Sequence, residues 1–157
     1  PEDPNMGMKF DGRLSEEFKL LSGTWVRAAP LRLEVLSKLG DIAADIIVTG
    51  ADKRDIGIFI VPSAGTRADQ EMTELEGALR IPALERDLRK TLQSIGVSTS
   101  SRVARALFLS EPLSIADGEI TAKGSVNFKA LLKRRAGLLE RLYNDADPAT
   151  LLTYQDE

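Results

Sequence analysis

Hydrophobic positions in this chain follow two rhythms. Asp45-Ile46-Ile47-Val48-Thr49 and Ile56-Gly57-Ile58-Phe59-Ile60-Val61 are continuous apolar, β-branched runs, which predicts two buried strands. The charged turn Ala51-Asp52-Lys53-Arg54-Asp55 between them is short, so the strands should pair antiparallel. Pro62 ends the second one. Arg102-Val103-Ala104-Arg105-Ala106-Leu107-Phe108-Leu109 predicts a third strand, and its two arginines imply that part of one face is wet or paired.

Other stretches repeat at helical spacing. Leu31, Val35, Leu36 and Leu39 form one stripe between Pro30 and Gly40, which predicts a short helix. Leu84, Leu88, Leu92 and Ile95 do the same between Pro82 and Gly96, with Arg86, Asp87, Arg89 and Lys90 on other faces. A last helix opens after Asn127, with Phe128, Leu131, Leu132, Leu138, Leu139 and Leu142 inward and Lys129, Lys133, Arg134, Arg135 and Arg141 outward. Those cations suit a solvated face, a phosphate-facing patch or partners of a helix C-terminus. From Ser63 to Gly77 the pattern fades, which predicts a long surface loop. Ser98-Thr99-Ser100-Ser101 reads as a polar connector. No repeat or second domain is visible. The elements together predict an α+β fold: an N-terminal hairpin, then a central three-stranded sheet flanked by helices.

The hairpin is expected near the start of the chain. Phe10, Phe18, Leu20 and Trp25 anchor two short extended segments around a charged turn. Lys19 lies between Phe18 and Leu20, so in a strand it points away from the face they share. Gly23 lets the backbone turn, or lets another group approach it closely. On spacing alone this stretch suits an ordinary surface hairpin equally well.

Composition narrows the chemistry. The 157 residues are 43% hydrophobic and 29% charged, which fits one globular domain or slightly more. No apolar run is long enough to cross a membrane. Pro1-Glu2-Asp3-Pro4-Asn5 lacks the features of a signal peptide, so a cytoplasmic location is expected. There is no cysteine and no histidine, which removes thiolate chemistry and the commonest general base and metal ligand; no metal site is expected. A net charge of -3 argues against nucleic acid as the main partner. Any chemistry falls to Lys, Arg, carboxylates, hydroxyls or the backbone.

The stretch from Gly12 to Val26 resembles the hinge motif of adenylate-forming ligases, G-R-x-D-D-x-I-K-x-S-G-x-W-V. Gly12, Arg13 and Lys19 match in register, and Ser22, Gly23, Trp25 and Val26 match after one additional residue. Phe18 replaces the aliphatic residue, and Ser15 and Glu16 stand where the family has two aspartates. The version here is similar to that of feruloyl-CoA synthase-like enzymes, and the likeness extends over about residues 7–143. The family's terminal motif, T-x-S-G-K-I-x-R-x-x-L, aligns with Thr121, Gly124 and Val126. Its lysine position falls on Ser125, while Lys123 sits two residues earlier in the T-x-K-G arrangement that the feruloyl-CoA synthase-like sequences share.

The resemblance implies a C-terminal lid domain over 12–145, preceded by the end of a parent N-terminal domain over 1–11 and followed by a tail over 146–157. It implies formation of an acyl-adenylate from a small carboxylic acid and ATP with Mg2+, then transfer of the acyl group to coenzyme A. Those cofactors would be bound mainly by the N-terminal adenylation domain, so the chain by itself should be inactive. Lys123 would be catalytic. Arg13, Lys19, Gly23 and Trp25 would contribute to nucleotide and coenzyme A binding, and Ser15 and Glu16 would form the hinge. Hydroxycinnamates such as ferulate are the acids implied. The competing expectation is a non-catalytic α+β interaction module.

Overall fold

A computed structural model describes residues 17–95, 102–123 and 126–153. The expected hairpin comprises β1 (Glu17–Lys19) and β2 (Trp25–Arg27), paired antiparallel. It runs directly into α1 (Ala28–Leu39). A short 3-10 turn then leads to β3 (Ala43–Thr49), which pairs antiparallel with β4 (Ile56–Pro62) as the short charged turn requires. Strand β7 (Val103–Leu109) lies parallel to β4 on its other side. A parallel neighbour needs a long crossover, and the chain between Pro62 and Val103 supplies it. That crossover holds α2 (Ala64–Asp69), β5 (Thr73–Leu75), β6 (Ala78–Arg80) and α3 (Pro82–Gln93).

The three expected strands therefore lie side by side in the order β3-β4-β7, with β3 at the edge. The sheet continues through β6 to β5. Both of its faces are covered, which explains why β3 and β4 read as near-continuous apolar runs. Ile46, Val48, Ile58, Ile60, Ala106 and Phe108 face a core shared with Leu31 and Val35 of α1 and Leu88 and Leu92 of α3. Ile47, Phe59, Val61, Leu107 and Leu109 face a second core with Leu131 and Leu142. Those two leucines lie on α4 (Phe128–Arg134) and α5 (Ala136–Leu142). The architecture is α+β, with the hairpin and flanking helices expected.

Three details depart from the sequence pattern. The stretch 63–77 is not one loop. The Ser63 hydroxyl accepts from the Thr66 amide (3.1 Å) and caps α2. Glu76 and Gly77, with φ of 53° and 94°, turn β5 into β6. Second, the single helix expected after Asn127 is broken at Arg135 (φ -106°, ψ 34°) into α4 and α5. Third, β8 (Leu151–Leu152) pairs with Arg105 and Ala106 of β7, within the stretch expected as a tail. The Ser98–Ser101 connector lies outside the described residues.

The hairpin is docked on the β3–β4 turn. The Asp52 amide donates to the Lys19 carbonyl (3.0 Å), and the Leu21 amide donates to the Lys53 carbonyl (2.9 Å). The Phe18 ring lies against Gly50. A Cβ on Gly50, whose φ is +150°, would sit 2.7 Å from that ring. Gly50→Ala should therefore cost about 1–3 kcal/mol through overpacking and strain. Urea unfolding followed by circular dichroism measures this; an unchanged midpoint would contradict the close packing of hairpin on turn.

Candidate active site

Hairpin pairing sets two neighbouring side chains on its outer face. Lys19 and Trp25 are cross-strand partners, and the ammonium lies 5.9 Å from the centroid of the indole ring, within cation–π range. Phe18 and Val26, the next pair, turn inward; Val26 is fully buried. The alternation expected for Lys19 is thus present. In the connecting loop the Gly23 amide donates to the Leu20 carbonyl (2.9 Å), and Gly23 has a φ of +93°. A Cβ there would meet no described atom within 4 Å, so the backbone at Gly23 is open to close approach. Leu21 and Trp25 are 70% and 66% exposed, which makes this tip an apolar surface beside a cation.

Lys123 is exposed in a turn between Thr121 and Val126. The base of that loop is closed twice: Ile120 and Val126 form an antiparallel bridge, and the Asn127 amide donates to the Glu119 carbonyl (2.8 Å). Asn127 then caps α4 by accepting from the Ala130 amide (3.1 Å). The Glu119 side chain points inward and is completely buried. Arg135 donates to it twice, from Nε (2.6 Å) and Nη2 (2.8 Å), and Arg134 donates from Nη1 (2.9 Å). The Ser114 amide adds a further bond (2.9 Å). Arg135 also donates to the carbonyls of Glu111 and Pro112. Burial alone would push the Glu119 carboxyl up, but the Arg135, Ser114 and Arg134 bonds outweigh it and hold the group at about 2.

An open cavity of about 560 Å³ lies between the two features. Phe18 of the hairpin, Ala28 and Arg32 of α1 and the end of β3 line one side. Thr121, Asn127, Phe128 and Lys129 line the other. Arg32 is committed to Asp45 and to the Ile46 carbonyl (3.2 Å). Lys129, outward on α4, is a cation at the cavity; Lys19, Gly23, Trp25 and Lys123 do not line it.

A second polar cluster lies behind the β3–β4 turn. Arg105, only 4% exposed, bonds both oxygens of Asp55 (3.0 and 3.3 Å), Asp145 (2.8 Å) and the Leu142 carbonyl (3.0 Å). It also stacks 5.0 Å from the Tyr143 ring. Tyr143 donates to the Asp55 carbonyl (2.8 Å), and burial pushes its phenol up to about 12. Of the two arginines expected on the third strand, Arg105 is therefore the paired one. This cluster joins α5 to the turn that also carries the hairpin.

Four expected site residues are placed: Lys19, Gly23 and Trp25 together on the hairpin tip, and Lys123 on its own loop. Arg13, Ser15 and Glu16 lie outside the described residues. The Glu119–Arg135 pair had no local sequence signal, because its members are sixteen positions apart. Among the described residues no group of three or more His, Cys, Asp or Glu could hold a metal ion. No helix there is long and apolar enough to cross a membrane.

No protein-family model and no curated protein matches the chain. Solved structures do. The adenylation domain of a carboxylic acid reductase from Segniliparus rugosus, in complex with AMP and a co-purified carboxylic acid, is 20% identical with a TM-score of 0.64, over 83% of this chain and 20% of that one. The A-PCP didomain of carboxylic acid reductase from the same organism, in complex with AMP, is 20% identical with a TM-score of 0.63, over 82% of this chain and 17% of that one. The adenylation domain of a carboxylate reductase from Mycobacterium chelonae is 18% identical with a TM-score of 0.61, over 85% of this chain and 20% of that one. This chain thus spans about a fifth of the length of these neighbours, and its fold is that of part of an adenylation domain.

The Glu119 pair has an acid signature. Its folded pKa lies below the unfolded value, so its contribution to stability is complete above about pH 4.5 and is lost as pH falls toward 2. Urea unfolding of the wild type and Glu119→Gln across that range should show a stability gap that closes with acidification. A gap independent of pH would contradict the ionised pair.

Proposed function

We propose that this chain is the C-terminal lid domain, residues 12–145, of an ATP-dependent acid–coenzyme A ligase. The carrying observation is that two exposed features, the Lys19–Gly23–Trp25 tip and the Lys123 loop, stand on separate elements whose neighbouring residues Phe18 and Thr121 line one cavity, in the fold of an adenylation-domain segment. The neighbours' complexes with AMP and a carboxylic acid support the same reaction class. A small acid of the hydroxycinnamate type is the substrate we favour, on the feruloyl-CoA synthase-like form of both motifs. We place ATP, Mg2+ and most of coenzyme A on an N-terminal adenylation domain of the same protein, and the protein in the cytoplasm.

Lys123 acts in the first step. Carboxylate and α-phosphate repel each other, and negative charge shifts onto the bridging oxygens as the adenylate forms. An ammonium aimed at those oxygens stabilises the transition state more than the ground state. At ~4 Å and an effective dielectric near ~20, one such contact is on the order of 4 kcal/mol before desolvation. The hairpin acts in the second step. Open backbone at Gly23 lets a narrow thiol-bearing arm pass, while Lys19 and Trp25 offer it charge and apolar surface. Arg13 contributes to the nucleotide, and Ser15 and Glu16 form the pivot that exchanges the two faces. A second interpretation, favoured by the reductase neighbours, keeps the adenylation step but passes the acyl group to a thiol other than free coenzyme A.

The test is to measure each half-reaction separately in the enzyme that contains this chain. Lys123→Ala should slow acid-dependent pyrophosphate exchange by roughly 100-fold, while thioester formation from supplied acyl-adenylate stays near wild type. Gly23→Leu should do the reverse, because its side chain fills the close approach. Exchange at the wild-type rate in Lys123→Ala would overturn the catalytic assignment. Adenylation without any coenzyme A thioester in the wild type would select the reductase-like alternative.

A further inference from the structure

A carboxylate buried completely is costly unless its charge is met inside the protein. Glu119 meets that condition in an unusual place. It does not join the sheet to a helix; it sits at the foot of the loop that carries Lys123. Its backbone carbonyl closes the loop onto Asn127, and its side chain reaches Arg134 and Arg135 at the junction of α4 and α5. The helix breaks at that junction. An unbroken helix would leave Arg135 with the outward orientation that the sequence pattern predicts. The break instead buries Arg135, with both Glu119 oxygens and two carbonyls of the 111–112 stretch as acceptors. Arg134 remains partly exposed, and it pairs with Asp117 (3.0 Å) as well as Glu119. One residue thereby ties together both ends of the segment, Ser114 through its carboxylate and Asn127 through its backbone carbonyl, and its charge reaches the helix that follows.

We propose that Glu119 is a positioning residue: gripped by Arg135 and Arg134, it fixes the foot of the Lys123 loop and so sets where the ammonium is presented. Glu119 touches no substrate. The kinetic consequence rests on the role proposed above for Lys123; the mechanical one does not.

The experiment therefore has two arms. In the first, amide hydrogen exchange is measured on this 157-residue chain as wild type, Glu119→Gln and Arg134→Gln. Glu119→Gln should lower protection of the Ser114, Asn127 and Ala130 amides at least ~10-fold relative to the amides of Ile58 and Leu107, because local opening then competes with global unfolding. Arg134→Gln should give a smaller change in the same amides with the core intact, and it decides the matter if Glu119→Gln does not fold. Loss spread equally over loop and core, or no loss in either variant, would overturn the proposal.

In the second arm, the enzyme that contains the chain is assayed for the two half-reactions. A misplaced ammonium should lower kcat for adenylation by ~10- to 100-fold, with KM for acid and ATP changed less than ~3-fold. Glu119→Asp should recover part of the rate, and thioester formation from supplied adenylate should be unaffected. Equal slowing of both half-reactions would mark Glu119 as merely structural and overturn the proposal. If the loop loosens but Lys123→Ala also leaves adenylation untouched, the positioning of the loop stands and the catalytic role of Lys123 fails.

Discussion

Arg105 sits within a central strand and is almost fully buried, so its charge has to be satisfied inside the protein. The groups that satisfy it organise the molecule. Asp55 comes from the β3–β4 turn, Asp145 and the Leu142 carbonyl from the end of α5, and Tyr143 stacks on the guanidinium. The same turn accepts the hairpin on its other side through Lys19 and Leu21. One cation thus fixes the turn against the second helical layer, and the backbone of the same turn holds the N-terminal hairpin. The Arg105 bond also holds the Asp145 carboxyl below the ordinary range.

The Lys123 loop depends on a second buried ion pair that obeys the same constraint. Glu119 and Arg135 are each nearly inaccessible, and neither has an alternative partner in water. Removing one member of such a pair leaves the other charged and buried, at a cost of about 3–5 kcal/mol. The two clusters divide the work. Arg105 joins the sheet, the β3–β4 turn and the end of α5, and Glu119 ties the foot of one loop to the α4–α5 junction. In the role proposed for Lys123, Glu119 contributes by holding the charge where a transition state would develop, which is where electrostatic stabilisation is effective.

Much of the fold was legible because it rests on local pattern. The long strands β3 and β4 are β-branched runs closed by a turn and Pro62, and both long helices carry a leucine stripe with a proline in the first turn. The parts that were not legible depend on partners far along the chain. β6 and β8 are two or three residues long and exist because β7 offers an open edge. The leucine stripe from Leu131 to Leu142 describes one helix, and the interruption at Arg135 accompanies its bonds to the distant Glu119 and to the Glu111 and Pro112 carbonyls. The hairpin tip was legible residue by residue, because alternation fixes which side chains point outward. Glu119 was not, because nothing near Asp117-Gly118-Glu119 distinguishes a buried anchor from a solvated acid.

The central claim is that the hairpin tip and the Lys123 loop are presented in turn to one active site. Amide exchange of the enzyme that contains this chain tests it, first with a non-hydrolysable acyl-adenylate mimic and then with the mimic plus coenzyme A. Protection should appear in residues 120–123 and 126–127 with the mimic alone, and move to residues 19–25 when the thiol is added. Protection of both segments together, or of neither, in the two states would contradict the alternation.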